Sequence, residues 1–161
     1  MPIFRGLSFT LGAPAQPVLE SELQAAEIAL ACSFPPDYRD FVTTFGAGHF
    51  DGLSLRAFGP THLARTTADD RQRFSDYWFW TESPEVWSQT LACESIGCFD
   101  SASGHDIRFH PSDPNSLFIL PHEEAWIKRV ADFAELVAFF REFEPDDLES
   151  ISYYPWPRNA A

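Results

Sequence analysis

Two adjacent prolines, Pro35 and Pro36, separate two stretches of helical periodicity, and they dictate how the first part of this chain must fold. Upstream, Leu19, Leu23, Ala26 and Leu30 recur at i, i+4, i+7 and i+11, one stripe of a helix. Ser21 and Glu22 give its first turn the polar, acidic character that the helix dipole favours. The stripe ends before Phe34-Pro35-Pro36, because proline cannot continue a helix and also restricts the residue before it. A second helix is expected to start with Pro36 near its first position and Asp37 in its first turn. Tyr38, Phe41, Val42 and Phe45 give it an apolar face, and Gly46 is a natural stop.

The rest of the chain reads as strands joined by turns, closed by one more helix. After the glycine-rich stretch from Gly46 to Gly52, residues 53–58 are expected to form a strand. Residues 59–90 carry weak signals, with some helix expected over 69–74 and extended chain over 77–80. Strands are predicted over 94–99 and 105–109, joined by a turn at Asp100-Ser101-Ala102-Ser103-Gly104. Pro111-Ser112-Asp113-Pro114-Asn115 is a second turn, followed by strands over 116–120 and 125–130. Asp132 with Glu135 resembles a capping box, and Phe133, Leu136, Val137 and Phe140 supply the apolar face of a last helix that ends near Pro145. Tyr153, Tyr154 and Trp156 imply that the tail docks back on the domain. The order predicts an α+β fold, with an N-terminal helix pair and a C-terminal helix packed on a mostly antiparallel sheet.

Bulk properties exclude several classes. The chain has 161 residues, of which 45% are hydrophobic and 16% aromatic, enough for one folded domain and too aromatic for disorder. Its net charge of −13 repels nucleic-acid phosphates and anionic lipid while attracting basic proteins; Lys128 is the sole lysine. No apolar run approaches the ~18 residues of a membrane span, and the first ten residues lack a signal-peptide core. Cys32, Cys93 and Cys98 are an odd number without CxxC spacing, which fits a reducing compartment. A cytoplasmic protein is the expectation.

The run from Glu27 to Phe41, with its Pro35-Pro36-Asp37-Tyr38 helix entry and the glycines Gly46 and Gly48, resembles the opening motif of the SMI1/KNR4 (SUKH) family. The later order agrees: Ile96 to Phe99, a turn with Gly104, Asp106 to Phe109, an apolar strand, His122-Glu123, and the helix bearing Phe133. The resemblance covers roughly residues 18–58 and 94–143; Ala31 stands where the family usually has glycine, and Phe34 replaces a common leucine. It implies a single SUKH-like domain over 1–161, with a variable middle segment 59–93 and a short tail 144–161. It further implies a cofactor-free binding scaffold. Bacterial members are mostly immunity proteins that neutralise toxins, often nucleases; eukaryotic relatives serve in cell-wall signalling.

On that resemblance, the expected partner is a basic toxin domain, blocked by occlusion. The alternative is a scaffold or regulatory module for an endogenous partner. Trp78, Trp80 and Trp87 with Glu82 and Glu85 are the candidate contacts, because they lie in the segment least like the family, and Trp is a common interface anchor. Packing in the core is the commoner role for any single Trp. Asp100 and Asp106 flank a turn and could present carboxylates at a sheet edge, although turn-forming Asp is the more usual explanation. Glu27 is expected to serve the helix surface, and the acids Glu142, Glu144, Asp146, Asp147 and Glu149 to be solvated. Enzyme signatures such as GxSxG, HExxH and a phosphate loop are missing. His105 and His110, five apart, would face opposite sides of a continuous strand, which argues against a shared metal.

Overall fold

The computed structural model describes residues 1–145 and 150–158. A small hairpin, β1 (Ile3–Phe4) and β2 (Leu7–Ser8), precedes β3 (Thr10–Leu11). Helices α1 (Glu20–Leu30) and α2 (Pro36–Thr44) follow, then β4 (Gly48–Asp51) and β5 (Arg56–Ala57). Next come α3 (Pro60–Asp76) and α4 (Gln89–Glu94), then β6 (Ile96–Asp100), β7 (Asp106–His110), β8 (Asp113–Leu120) and β9 (Lys128–Val130). Helix α5 (Phe133–Phe143) and β10 (Ser152–Pro155) complete the chain. The main sheet has the order β3-β10-β4-β5-β6-β7-β8-β9, antiparallel throughout except for the parallel β10–β3 pair. The fold is α+β.

The helix pair forms around the proline break as its sequence requires. Glu22 accepts from the Leu19 backbone N–H at 2.8 Å, one half of a capping box, and Pro36 begins α2. At the end of α1, Ala31 adopts a left-handed conformation (φ 51°, ψ 51°) that lets its N–H reach the Glu27 and Ile28 carbonyls. An L side chain pays for that conformation, so Ala31→Gly is expected to stabilise the protein by about 1 kcal/mol. A urea midpoint that stays or falls would show that Ala31 is unstrained.

The motif residues tie elements together. Asp37 accepts from the Phe133 N–H at 2.8 Å and from Arg5 Nε at 2.7 Å, so one carboxylate joins α2 to the start of α5 and to the N-terminal hairpin. The Tyr38 hydroxyl donates to the Phe58 carbonyl at 2.6 Å. Glu27 pairs with Arg39 and so ties α1 to α2, where a helix-surface role was expected. Asp132 caps α5 by accepting from the Glu135 N–H at 2.9 Å.

Strand alternation divides the interior into two layers. Ile107, Phe109, Leu117 and Ile119 face α1, α2 and α5 in the larger core, where Phe4 meets Phe41 and Phe133 edge to face, Phe41 meets Tyr153 edge to face, and Phe41 stacks on Phe133. Phe118 and Leu120 face the other way, into a smaller core with Phe74, Trp80, Trp87 and Ile127. Helix α3 serves both, with Leu63 in the larger core and Phe74 in the smaller.

Several expected boundaries move. The glycine-rich stretch supplies strand β4, and the expected strand at 53–58 shrinks to Arg56–Ala57, because Gly52 (φ 81°) turns the chain and Leu55 N–H closes onto the Leu53 carbonyl. Segment 59–93 is largely helical, with α3 running 17 residues where six were expected. Tyr77 is extended (φ −145°, ψ 119°) but residues 77–80 pair with no strand, and α4 precedes β6. Glu144 is drawn into a 2.7 Å contact with the buried His105, so it is not a freely solvated acid; Asp146, Asp147 and Glu149 lie outside the described residues.

Candidate interaction surface

The sheet face under α3 carries charge where an apolar layer would be ordinary. Arg108 on β7 is 1% exposed. Its guanidinium donates to the Ser95 hydroxyl (2.6 Å) and carbonyl (3.0 Å), and contacts Asp70 at 3.4 Å. Burial pushes the Arg108 pKa down, opposed by Asp106 and Asp70. Gly97 makes the room, since a Cβ there would lie 2.8 Å from Arg108 Nη1. Arg73 on α3 lies over the Phe74 ring at 4.5 Å and bonds Asp106 at 3.1 Å. Asp70, Arg73, Asp106 and Arg108, with His62 and Asp100, line a cleft of about 260 Å³.

Both turn aspartates are therefore committed internally. Asp100 accepts a bidentate pair of 2.7 Å bonds from Arg56, while its burial raises its pKa. Asp106 holds Arg73. Asp100 and Asp106 each neutralise an arginine of their own chain and are not free carboxylates.

Two of the three tryptophans lie in the smaller core. Trp80 is 6% exposed and donates its indole N–H to the Pro121 carbonyl at 2.8 Å. Trp87, 2% exposed, stacks on Phe118 with ring centroids 4.5 Å apart. Buried rings with filled partners cannot anchor another protein without unfolding their layer. Trp78 is half-buried against Phe74 and Trp80. Glu82 and Glu85 are exposed, as a contact role needs.

Residues 79–82 run beside 121–125, joined by the Trp80–Pro121 bond and by Glu82 N–H to the Ala125 carbonyl at 3.0 Å. That pairing brings the exposed Glu123 and Glu124 to the same end as Glu82 and Glu85. None of the four has an ion pair among the described residues. Arg5, Arg39, Arg56, Arg73, Arg108, Arg129 and Arg158, by contrast, each meet a carboxylate of the same chain. Local pairing thus neutralises most of the arginines, whereas these four glutamates keep their charge unpaired among the described residues. The site residues that sequence reasoning missed here are Tyr77, Phe79, Glu123 and Glu124. Tyr77 is 66% exposed and parallel to the Phe79 ring.

One arrangement looks catalytic at first sight. The Ser112 hydroxyl lies 2.7 Å from His110 Nδ1, and His110 Nε2 lies 2.9 Å from Glu94. It sits on the β7–β8 turn, where the Ser112 N–H also contacts Nδ1, and Glu94 is largely exposed. It clamps the β7–β8 turn to α4. Burial raises the Cys98 thiol to about 12 and the Cys32 thiol to about 11, which favours the protonated form of both. No cluster of metal-ligating side chains occurs among the described residues, and no helix there is long and apolar enough to cross a membrane.

No protein-family model matches this chain, and no curated protein matches it by sequence.

Proposed function

We propose that this protein is a cofactor-free, cytoplasmic binding module of the SMI1/KNR4 immunity type, which neutralises a basic toxin domain by covering it. The observation that carries the reading is the acidic end built from residues 79–85 and 121–125, where Glu82, Glu85, Glu123 and Glu124 stand exposed on a scaffold fixed by Trp80 and Trp87. A toxin that cleaves nucleic acid needs a basic surface for phosphate, and an acidic rigid surface competes for that place and associates fast. The motif residues Glu27, Asp37 and Tyr38 support the same reading from the fold side, since each joins elements of the framework.

Co-expression with a toxin encoded beside this gene tests the proposal. Survival of the host and a co-purifying complex at low salt are the expected results. Continued killing with no complex, when both proteins accumulate, would refute the pairing with that toxin. An isolated gene bound to a basic protein of its own cell would instead place the module in endogenous regulation.

A further inference from the structure

His105 is buried at the turn between β6 and β7, and both of its ring nitrogens are engaged. Nδ1 accepts the backbone N–H of His122 at 2.8 Å, so that nitrogen carries no proton. The ring proton therefore sits on Nε2, which donates to Glu144 Oε1 at 2.7 Å. One imidazole thus joins the chain just after β8 to the end of α5. Phe140 and Phe143 of α5 pack against the ring, with centroids 6.1 and 5.4 Å away, and the Ser101 hydroxyl holds the His105 backbone N–H at 3.1 Å. From α5, Glu144 is the charged group that meets the ring. From residues 121–125, the titratable neighbour is His122, whose own ring lies against Gly104, where a Cβ would come within 3.2 Å of it. Asp106 is next along the chain but bonds Arg73. Burial opposes the charge on Glu144, and the nearby His105, Ser103 and Ser54 outweigh it, holding the carboxyl below its usual pKa.

We propose that His105 is a proton-operated latch on the acidic segment 121–125. A protonated imidazole has two N–H donors and no acceptor, so His105 cannot take a second proton and keep the His122 bond. Turning the ring over does not restore it, because either orientation then presents only N–H or C–H. Protonation meanwhile turns the Glu144 contact into an ion pair, which favours the charged ring. The neutral ring serves both partners, and the charged ring serves Glu144 alone. Pro121 and Ala125 stay held by Trp80 and Glu82, so the release is confined to residues 122–124, which include the exposed Glu123 and Glu124. Histidine is the side chain suited to such a switch near neutral pH. The latch acts whatever partner the acidic end meets.

The test is NMR of the uniformly ¹⁵N-labelled full chain between about pH 8 and about pH 5. At the upper end, a scalar coupling across the hydrogen bond is expected between the His122 amide nitrogen and His105 Nδ1, with the ring proton on Nε2. The coupling is expected to vanish as His105 takes its second proton, and the Glu123 and Glu124 amides to shift with the same midpoint. His122→Gln keeps the backbone donor and removes the neighbouring imidazole, and the same loss is expected there. His105→Asn offers an amide oxygen that accepts at every pH, and is expected to leave the 122–124 amides unmoved across the range. The proposal is overturned if the resting ring proton is on Nδ1, if His105 stays neutral down to the pH at which the chain unfolds, or if the 122–124 shifts disappear in His122→Gln. The wild-type coupling decides the matter even where His105→Asn does not fold. The titration needs no partner, so its failure leaves immunity to be judged by co-expression.

Discussion

Tyr153→Ala is expected to destabilise the protein by about 4 kcal/mol, the cost of removing a large ring from a packed core. Tyr153 is fully buried although it comes from the last strand. Its ring lies 4.7 Å from Phe50 and 5.0 Å from Phe41, and its hydroxyl donates to the Gly46 carbonyl at 2.8 Å. Strand β10 is inserted between β3 and β4, so losing its anchor also weakens the strand that holds β3 in the sheet. Tyr153→Phe keeps the ring and loses the hydrogen bond, for an expected cost of about 1 kcal/mol. Urea unfolding of both variants separates the two contributions. If Tyr153→Ala unfolds at nearly the wild-type midpoint, the C-terminal strand does not belong to the cooperative core.

How much of this was legible beforehand depended on where apolar periodicity survived. Helices α2 and α5 were readable because their buried positions are aromatic or aliphatic: Tyr38, Phe41, Val42 in one, Phe133, Leu136, Val137, Phe140 in the other. Helix α3 was not, for a physical reason. Several side chains lining the cleft against the sheet are His62, Thr66, Asp70 and Arg73, spaced for one helical face but polar. Opposite them, Arg108 occupies a strand position that the pattern of its neighbours assigns to solvent. An ion network around the buried Arg108 satisfies both elements while erasing the apolar stripe by which either could be recognised. The tryptophans misled for the converse reason. Hydrophobic content reveals that Trp80 and Trp87 will be buried somewhere, and the choice between core and interface is made by Pro121 and Phe118, which are distant in sequence. Asp100 and Asp106 could be placed beside a turn, yet their arginine partners Arg56 and Arg73 come from other elements.

The acidic end itself can be separated from the overall charge by relocating the change. Reversing Glu82, Glu85 and Glu123 to lysine is expected to slow association with a basic partner about a hundredfold at low ionic strength, because steering depends on the sign of charge at the docking face. These side chains are exposed and unpaired among the described residues, so folding should be little affected. Reversal of Asp51, Asp69 and Glu142 alters the net charge equally, at other exposed positions. Stopped-flow association rates across a salt series compare the two triples. A local docking face predicts a large loss and a flattened salt dependence for the first triple alone, since screening beyond ~10 Å mutes the distant charges. Equal slowing by both would mean that the −13 charge acts as a diffuse field, and the patch formed where 79–85 meets 121–125 would have no special standing. The comparison is decisive because the internal ion pairs are untouched in both variants: Arg56, Arg73 and Arg108 keep their carboxylates, and only the unneutralised ones change.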